Sequence, residues 1–178
     1  ISKVNGSIHA ESGQTYRDLE TVNGSIRIEE GATVEDADTV NGAISAEDKA
    51  VLRSASTVNG AITLGEQTRV EGNVETVNGG ITVGKLSELK GDELSTVNGK
   101  ILIYQSTIHG QVSTVNGDIT VGSYTQIHGG ILVDKPTGMS WGKQRTPRVL
   151  IGPNAVVKGD LVFKREVELI VHSSAKIG

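Results

Sequence analysis

Apolar residues return to the same relative place in this chain every 18 to 20 residues. The stretch TVNGSI at 21–26 has near-copies at 39–44, 57–62, 76–81, 96–101 and 114–119, and KVNGSI stands at 3–8. The valines of these motifs are Val4, Val22, Val40, Val58, Val77, Val97 and Val115, in steps of 18, 18, 18, 19, 20 and 18. Aligned on that valine, the chain falls into apolar columns. One reads Ile8, Ile26, Ile44, Ile62, Ile81, Ile101, Ile119. Two residues on comes Ala10, Ile28, Ala46, Leu64, Val83, Ile103, Val121. A third is Tyr16, Val34, Leu52, Val70, Leu89, Ile108, Ile127, and a fourth, three residues before each valine, is Ile1, Leu19, Ala37, Ala55, Val74, Leu94, Val112.

Asn-Gly between apolar residues is a strong hairpin signal. In a two-residue hairpin loop, however, Val22 would pair across strands with Ser25 and share its face. The position of Ser25 is mostly polar or small in the other repeats, while Val22, Ile26 and Ile28 share one parity. With a side-chain period of two, the chain therefore runs onward rather than folding back. A chain that runs onward and returns in register predicts an all-β fold. That fold is a single-stranded parallel β-helix, or β-solenoid, of about 18 residues per coil. Nine or ten coils at a strand spacing of ~4.8 Å make a rod about 45 Å long. The motif valine is expected in the core with the other apolar columns.

Stacking assigns jobs to the polar columns. Asn5, Asn23, Asn41, Asn59, Asn78, Asn98 and Asn116 are expected to form a side-chain ladder, each hydrogen-bonded to the coil above and below. The adjacent Gly suits a bend, and the motif Thr suits a pleated stack. A surface column reads Arg17, Glu35, Arg53, Glu71, Lys90, His109, His128. Its first five members alternate in sign, so stacked neighbours attract.

The motif series ends at 115–117, and the domain is read as one continuous solenoid over 1–178. Regular coils occupy 1–130, a coil with an excursion loop 131–149, and further coils 150–178. Ile131 and Val133 precede Val149 and Ile151 by 18 residues, which suggests one coil continuing around a loop. That loop carries Met139, Trp141, Lys135, Lys143, Arg145 and Arg148. It reads either as a connection over the core or as a partner-binding segment. Alternation resumes at Ile151, Ala155, Val157, Leu161, Phe163, Val167, Leu169, Val171, Ala175 and Ile177.

Composition narrows the function. Aromatic residues are 3% and hydrophobic residues 36% of the chain. There is no cysteine, so no disulfide framework or thiolate metal site is expected. Residues 1–130 hold 9 Lys+Arg and 17 Asp+Glu, net −8, and residues 131–178 hold 8 and 4, net +4. The basic end could dock an anionic partner or the acidic end of a second copy. Nucleic-acid binding is not expected without a basic body and interleaved aromatics. No cofactor is expected, and two stacked imidazoles, His109 and His128, are too few for a metal site. The sequence begins at Ile1 inside a repeat and reads as processed or trimmed, so a membrane link would come only through a segment outside it.

The tract LIGPNAVVKGDLVF at 150–163 resembles the bactofilins, bacterial polymer-forming proteins, at Ile151, Gly152, Pro153, Ala155, Val157, Gly159, Asp160 and Leu161. The VNGxI series over 1–130 is similar to bacterial adhesin-like β-solenoid domains. The two resemblances imply a right-handed solenoid, polymerisation by end-to-end stacking, and a place in the bacterial cell envelope, periplasmic or surface-exposed. A cytoplasmic, membrane-associated site is the alternative. The long 134–148 excursion departs from a simple bactofilin rod.

The function expected is therefore non-enzymatic: a filament subunit, scaffold or surface adhesin. The alternative is a β-helical enzyme acting on a polysaccharide or an acyl-transfer substrate. Hexapeptide acyltransferases need an apolar residue every sixth position, and the steps here are 4, 2, 6, 3 and 3. The nearest carboxylate column, Glu20, Asp38 and Glu75, is interrupted by Ser56, Ser95 and Ser113. Catalysis would have to come from a site, and fold alone does not supply one.

Overall fold

A computed structural model describes residues 1–138 and 144–178. Every described element is a strand, and every strand pairing is parallel. The strands form a 9-stranded and a 15-stranded sheet wound along one axis, a β-solenoid. Ile8 pairs with Ile26, Ile26 with Ile44, and so on through Ile119, Val149 and Leu169, one strand per coil.

Each coil turns its inward residues onto three faces. In one coil, strand Ile26–Ile28 sends both isoleucines inward, and strand Thr33–Thr39 sends Val34, Ala37 and Thr39 inward. Between Val34 and Ala37 lie two outward residues, Glu35 and Asp36, which break the period of two and bend the strand. From the coil of Arg69 onward this bend is longer: Glu71, Gly72 and Asn73 stand where the preceding coil has only Arg53 and Ser54. The bent strand then becomes two short ones, Arg69–Val70 and Val74–Thr76. Such an insertion lengthens the coil outside the core and leaves the stacking columns intact.

The other corner holds a stack of left-handed residues: Gly13, Gly31, Lys49, Gln67, Leu86, Gln105, Tyr124 and Asn154 all have positive φ. It leads into a column of small buried residues, Ala32, Ala50, Thr68, Ser87, Ser106, Thr125 and Ala155.

The structure corrects the expected place of the motif valine. Val22, Val40, Val58, Val77 and Val97 are exposed, and the buried residue is the threonine before each. Strand Thr15–Asn23 runs unbroken through Leu19, Thr21 and Val22, so with Leu19 and Thr21 inward Val22 must point out. The chain turns only at Asn-Gly, after the valine. The threonine hydroxyls are satisfied in the core: Thr39 Oγ1 donates to the Gly24 carbonyl at 2.9 Å, and Thr57 Oγ1 to Gly42 at 2.9 Å. The motif glycine is required by proximity, since a Cβ on Gly42 or Gly60 would lie 1.9 Å from the carbonyl oxygen of the motif glycine one coil earlier.

A second correction concerns the excursion. Ile131 does not stack on Val149. It pairs with Val112 on one side and Leu161 on the other, while Val149 pairs with Ile119 and Leu169. The coil from Ile119 to Val149 is therefore 30 residues long, and the 18-residue step from Ile131 was a coincidence of spacing. Beyond the loop, Ile151, Ala155 and Val157 are buried, and Leu161, Phe163, Val167 and Ala175 pack against the core. Leu169, Val171 and Ile177, in the last coil, are exposed.

Candidate interaction surfaces: the asparagine ladder and the basic end

The motif corner brings seven asparagines into one line. Asn23 Nδ2 donates to Asn5 Oδ1 at 2.9 Å, Asn41 to Asn23 at 2.9 Å, and Asn59 to Asn41 at 2.9 Å. Asn78 donates to Asn59 at 2.9 Å, Asn98 to Asn78 at 2.8 Å and Asn116 to Asn98 at 2.8 Å. Every amide donates toward the start of the chain, so the ladder has a direction. Its last member, Asn116, takes its donor from Arg165, whose Nη1 lies 2.7 Å from Asn116 Oδ1 and 2.8 Å from the Val115 carbonyl. Arg165 Nη2 also donates to the Arg145 carbonyl at 3.0 Å, which ties the returning excursion to the ladder. Sequence reasoning missed Arg165 because only the 30-residue coil length places it beside the motif column.

The charge column is only partly an ion-pair ladder. Lys90 Nζ lies 3.4 Å from Glu71, but Arg53 pairs with Asp36, the residue beside the column. Arg17 and Glu35 sit in stacked strands but form no ion pair with each other. These pairs are exposed and each is worth ~0–1 kcal/mol. Farther along, His109 Nε2 lies 3.0 Å from Glu88 Oε1, and its ring meets His128 edge-on with centroids 4.8 Å apart. Burial pushes the His128 imidazole toward its neutral form, and Lys158 and His109 add to that. Among the described residues no group of three or more His, Cys, Asp or Glu could hold a metal ion.

Of the loop residues, Trp141 and Lys143 lie outside the described residues. Lys135 is exposed. Arg145 and Arg148 are engaged within the chain. Arg145 Nη2 donates to Asp118 Oδ2 at 2.5 Å, the Arg148 backbone N–H to Asp118 Oδ1 at 2.9 Å, and Arg148 Nε to Glu168 Oε2 at 2.9 Å. Partial burial works against the charge on Asp118. The Arg148 N–H, the Arg145 guanidinium and Lys100 together outweigh it and hold the carboxyl below its ordinary value. Asp118, in the coil before the loop, thus anchors the strand after it.

The column of Glu20, Asp38, Ser56, Glu75, Ser95 and Ser113 stacks in register; its members are exposed or half-buried as far as Ser95, and Ser113 is buried. Ser56 Oγ donates to Asp38 Oδ1 at 2.7 Å. Between this column and the exposed valines runs a shallow groove. One stretch of about 370 Å³ is lined by Glu20, Asp38, Ser56, Val22, Val40 and Val58, and another of about 220 Å³ by Ser95, Ser113, Val97 and Val115. No helix among the described residues is long and apolar enough to cross a membrane. No protein-family model matches the chain, and no curated protein or solved structure matches it either.

Proposed function

We propose that this chain is a structural and interaction module without catalytic activity: a β-solenoid rod that assembles end to end through its terminal coils. One observation carries this reading. Val149, Ile151 and Val157 are 0% exposed, whereas Leu169, Val171 and Ile177, in the same columns one coil later, are about 40% exposed. The strands that carry them pair on one side only. An uncovered strand edge beside apolar columns is a template for the next coil, which a second copy or further chain can supply. A coil of a second copy, stacked there, would bury these side chains and complete the ladders of hydrogen bonds. The acidic first coils and the basic last coils favour contact between opposite ends. The resemblance to polymer-forming and adhesin-like solenoids supports the same reading and a place in the bacterial cell envelope.

Negative-stain electron microscopy of the purified chain across a salt series tests this. Filaments of uniform width that shorten as salt rises, and that vanish in L169D/V171D, are expected. Discrete single rods at every concentration and salt level would overturn the proposal.

A further inference from the structure

Three of the four residues of each Thr-Val-Asn-Gly motif have a task in the fold. The threonine hydroxyl binds a glycine carbonyl of the neighbouring coil. The asparagine carries the ladder, and no side chain has room at the glycine. The valine has none. It points outward, and yet it is Val in all seven repeats, where neighbouring surface columns vary freely. Thr would serve the strand equally well on a wet surface. Six of these valines, Val4, Val22, Val40, Val58, Val77 and Val97, are 36–68% exposed and form a single stripe along the rod. Backbone hydrogen bonds from Asn41, Asn59, Asn78, Asn98 and Asn116 to the preceding valine carbonyls keep the stripe in register.

We propose that this stripe is a lateral interface with a second, antiparallel copy of the same chain. The stripe is periodic at the strand spacing of ~4.8 Å, and a surface that repeats on that spacing fits best a surface with the same repeat. The face that carries the stripe runs from the Asp18 column to the Asn23 column, about 16 Å, and seven coils span about 33 Å. Two such faces bury roughly 1,000 Å² together, at the lower bound for a specific interface. Charge selects the orientation. With Val58 facing Val77 of the second copy, Val40 faces Val97 and Val22 faces Val115. Asp38 then meets Ser95, Glu75 meets Ser56, and Glu20 lies over the coil of the buried Ser113, so that no carboxylate of this column opposes another. The same arrangement brings the acidic first coils of each copy toward the basic end of the other.

This interface is independent of end stacking, and the test separates them. Sedimentation velocity is run on the L169D/V171D chain, with and without V22T/V40T/V58T/V77T. Thr keeps the branched shape and the strand preference of Val. A dimer of L169D/V171D whose dissociation constant rises at least about 100-fold on adding the threonines, at unchanged circular dichroism, is expected. A monomer at all concentrations without the threonines, or a dimer indifferent to them, overturns the lateral interface whether or not filaments form. Orientation is read from single cysteines in a chain that has none. A mixture of V40C and V97C should cross-link as the mixed pair. Cross-linking of V40C to itself would overturn the antiparallel arrangement.

Discussion

Replacing Asn59 by Ala removes two hydrogen bonds, the donation to Asn41 Oδ1 at 2.9 Å and the acceptance from Asn78 Nδ2 at 2.9 Å. Replacing Asn5 removes one, the acceptance from Asn23. These asparagines are exposed, so water covers the orphaned partners and no burial penalty is added. At ~0.5–1.5 kcal/mol net per bond, N59A should cost about 1–3 kcal/mol and N5A about half as much. For a chain of this size each kcal/mol lowers Tm by about 2–4 °C. An interior N59A therefore melts about 4–8 °C below the wild type at the middle of that range. Asn59→Asp is a sharper probe. It still accepts from Asn78, but it cannot donate, and it sets a carboxylate oxygen against Asn41 Oδ1. At neutral pH it should be at least as unstable as N59A. Thermal and urea unfolding followed by far-UV circular dichroism measures all three. If N59A cost no more than N5A, or less than about 0.5 kcal/mol, the ladder would be a by-product of stacking and not a source of stability.

Two further outcomes follow from the same packing. Gly79→Ala would set a Cβ 1.8 Å from the Gly60 carbonyl oxygen, so two coils must part; a loss of about 3 kcal/mol or more is expected in urea unfolding. Gly13→Ala, in open space but at φ +69°, should cost only the left-handed penalty of about 1–2 kcal/mol. The second outcome concerns acid. The Asp118 carboxyl is held below its ordinary value in the folded chain, so its contribution is present above the unfolded value and is lost as pH falls through the folded one. Between about pH 5 and pH 2 the Tm of the wild type should fall more steeply than that of D118N. Equal slopes would show that Asp118 does not anchor the strand after the loop.

Parity and period carried most of the architecture in the sequence. Columns of Ile, Leu and Val recurring every 18 to 20 residues require a chain that returns in register. Four of those columns line the core. The asparagine line was legible because identical side chains one strand apart can only meet each other. The motif valine was misplaced for a reason internal to one strand. Apolar character suggested burial, but a three-residue step from Leu19 to Val22 cannot keep both inside an unbroken strand. Thr21 took the inward place instead because a carbonyl of the neighbouring coil satisfies its hydroxyl. Polarity alone could not reveal that partner.

The sequence by itself determined the repeat, the coil and the identity of the stacking columns, because these depend on spacing along the chain and on a fixed strand separation. Only the tertiary structure decided where the coil turns corners, how long the irregular coil is, and what its residues reach. The excursion coil runs to 30 residues, and this is what brings Arg165 onto Asn116, and Arg145 and Arg148 onto Asp118. Those contacts join residues 27 to 49 positions apart. Such distances lie beyond the repeat, and a loop of variable length erases the register from which sequence could have read them.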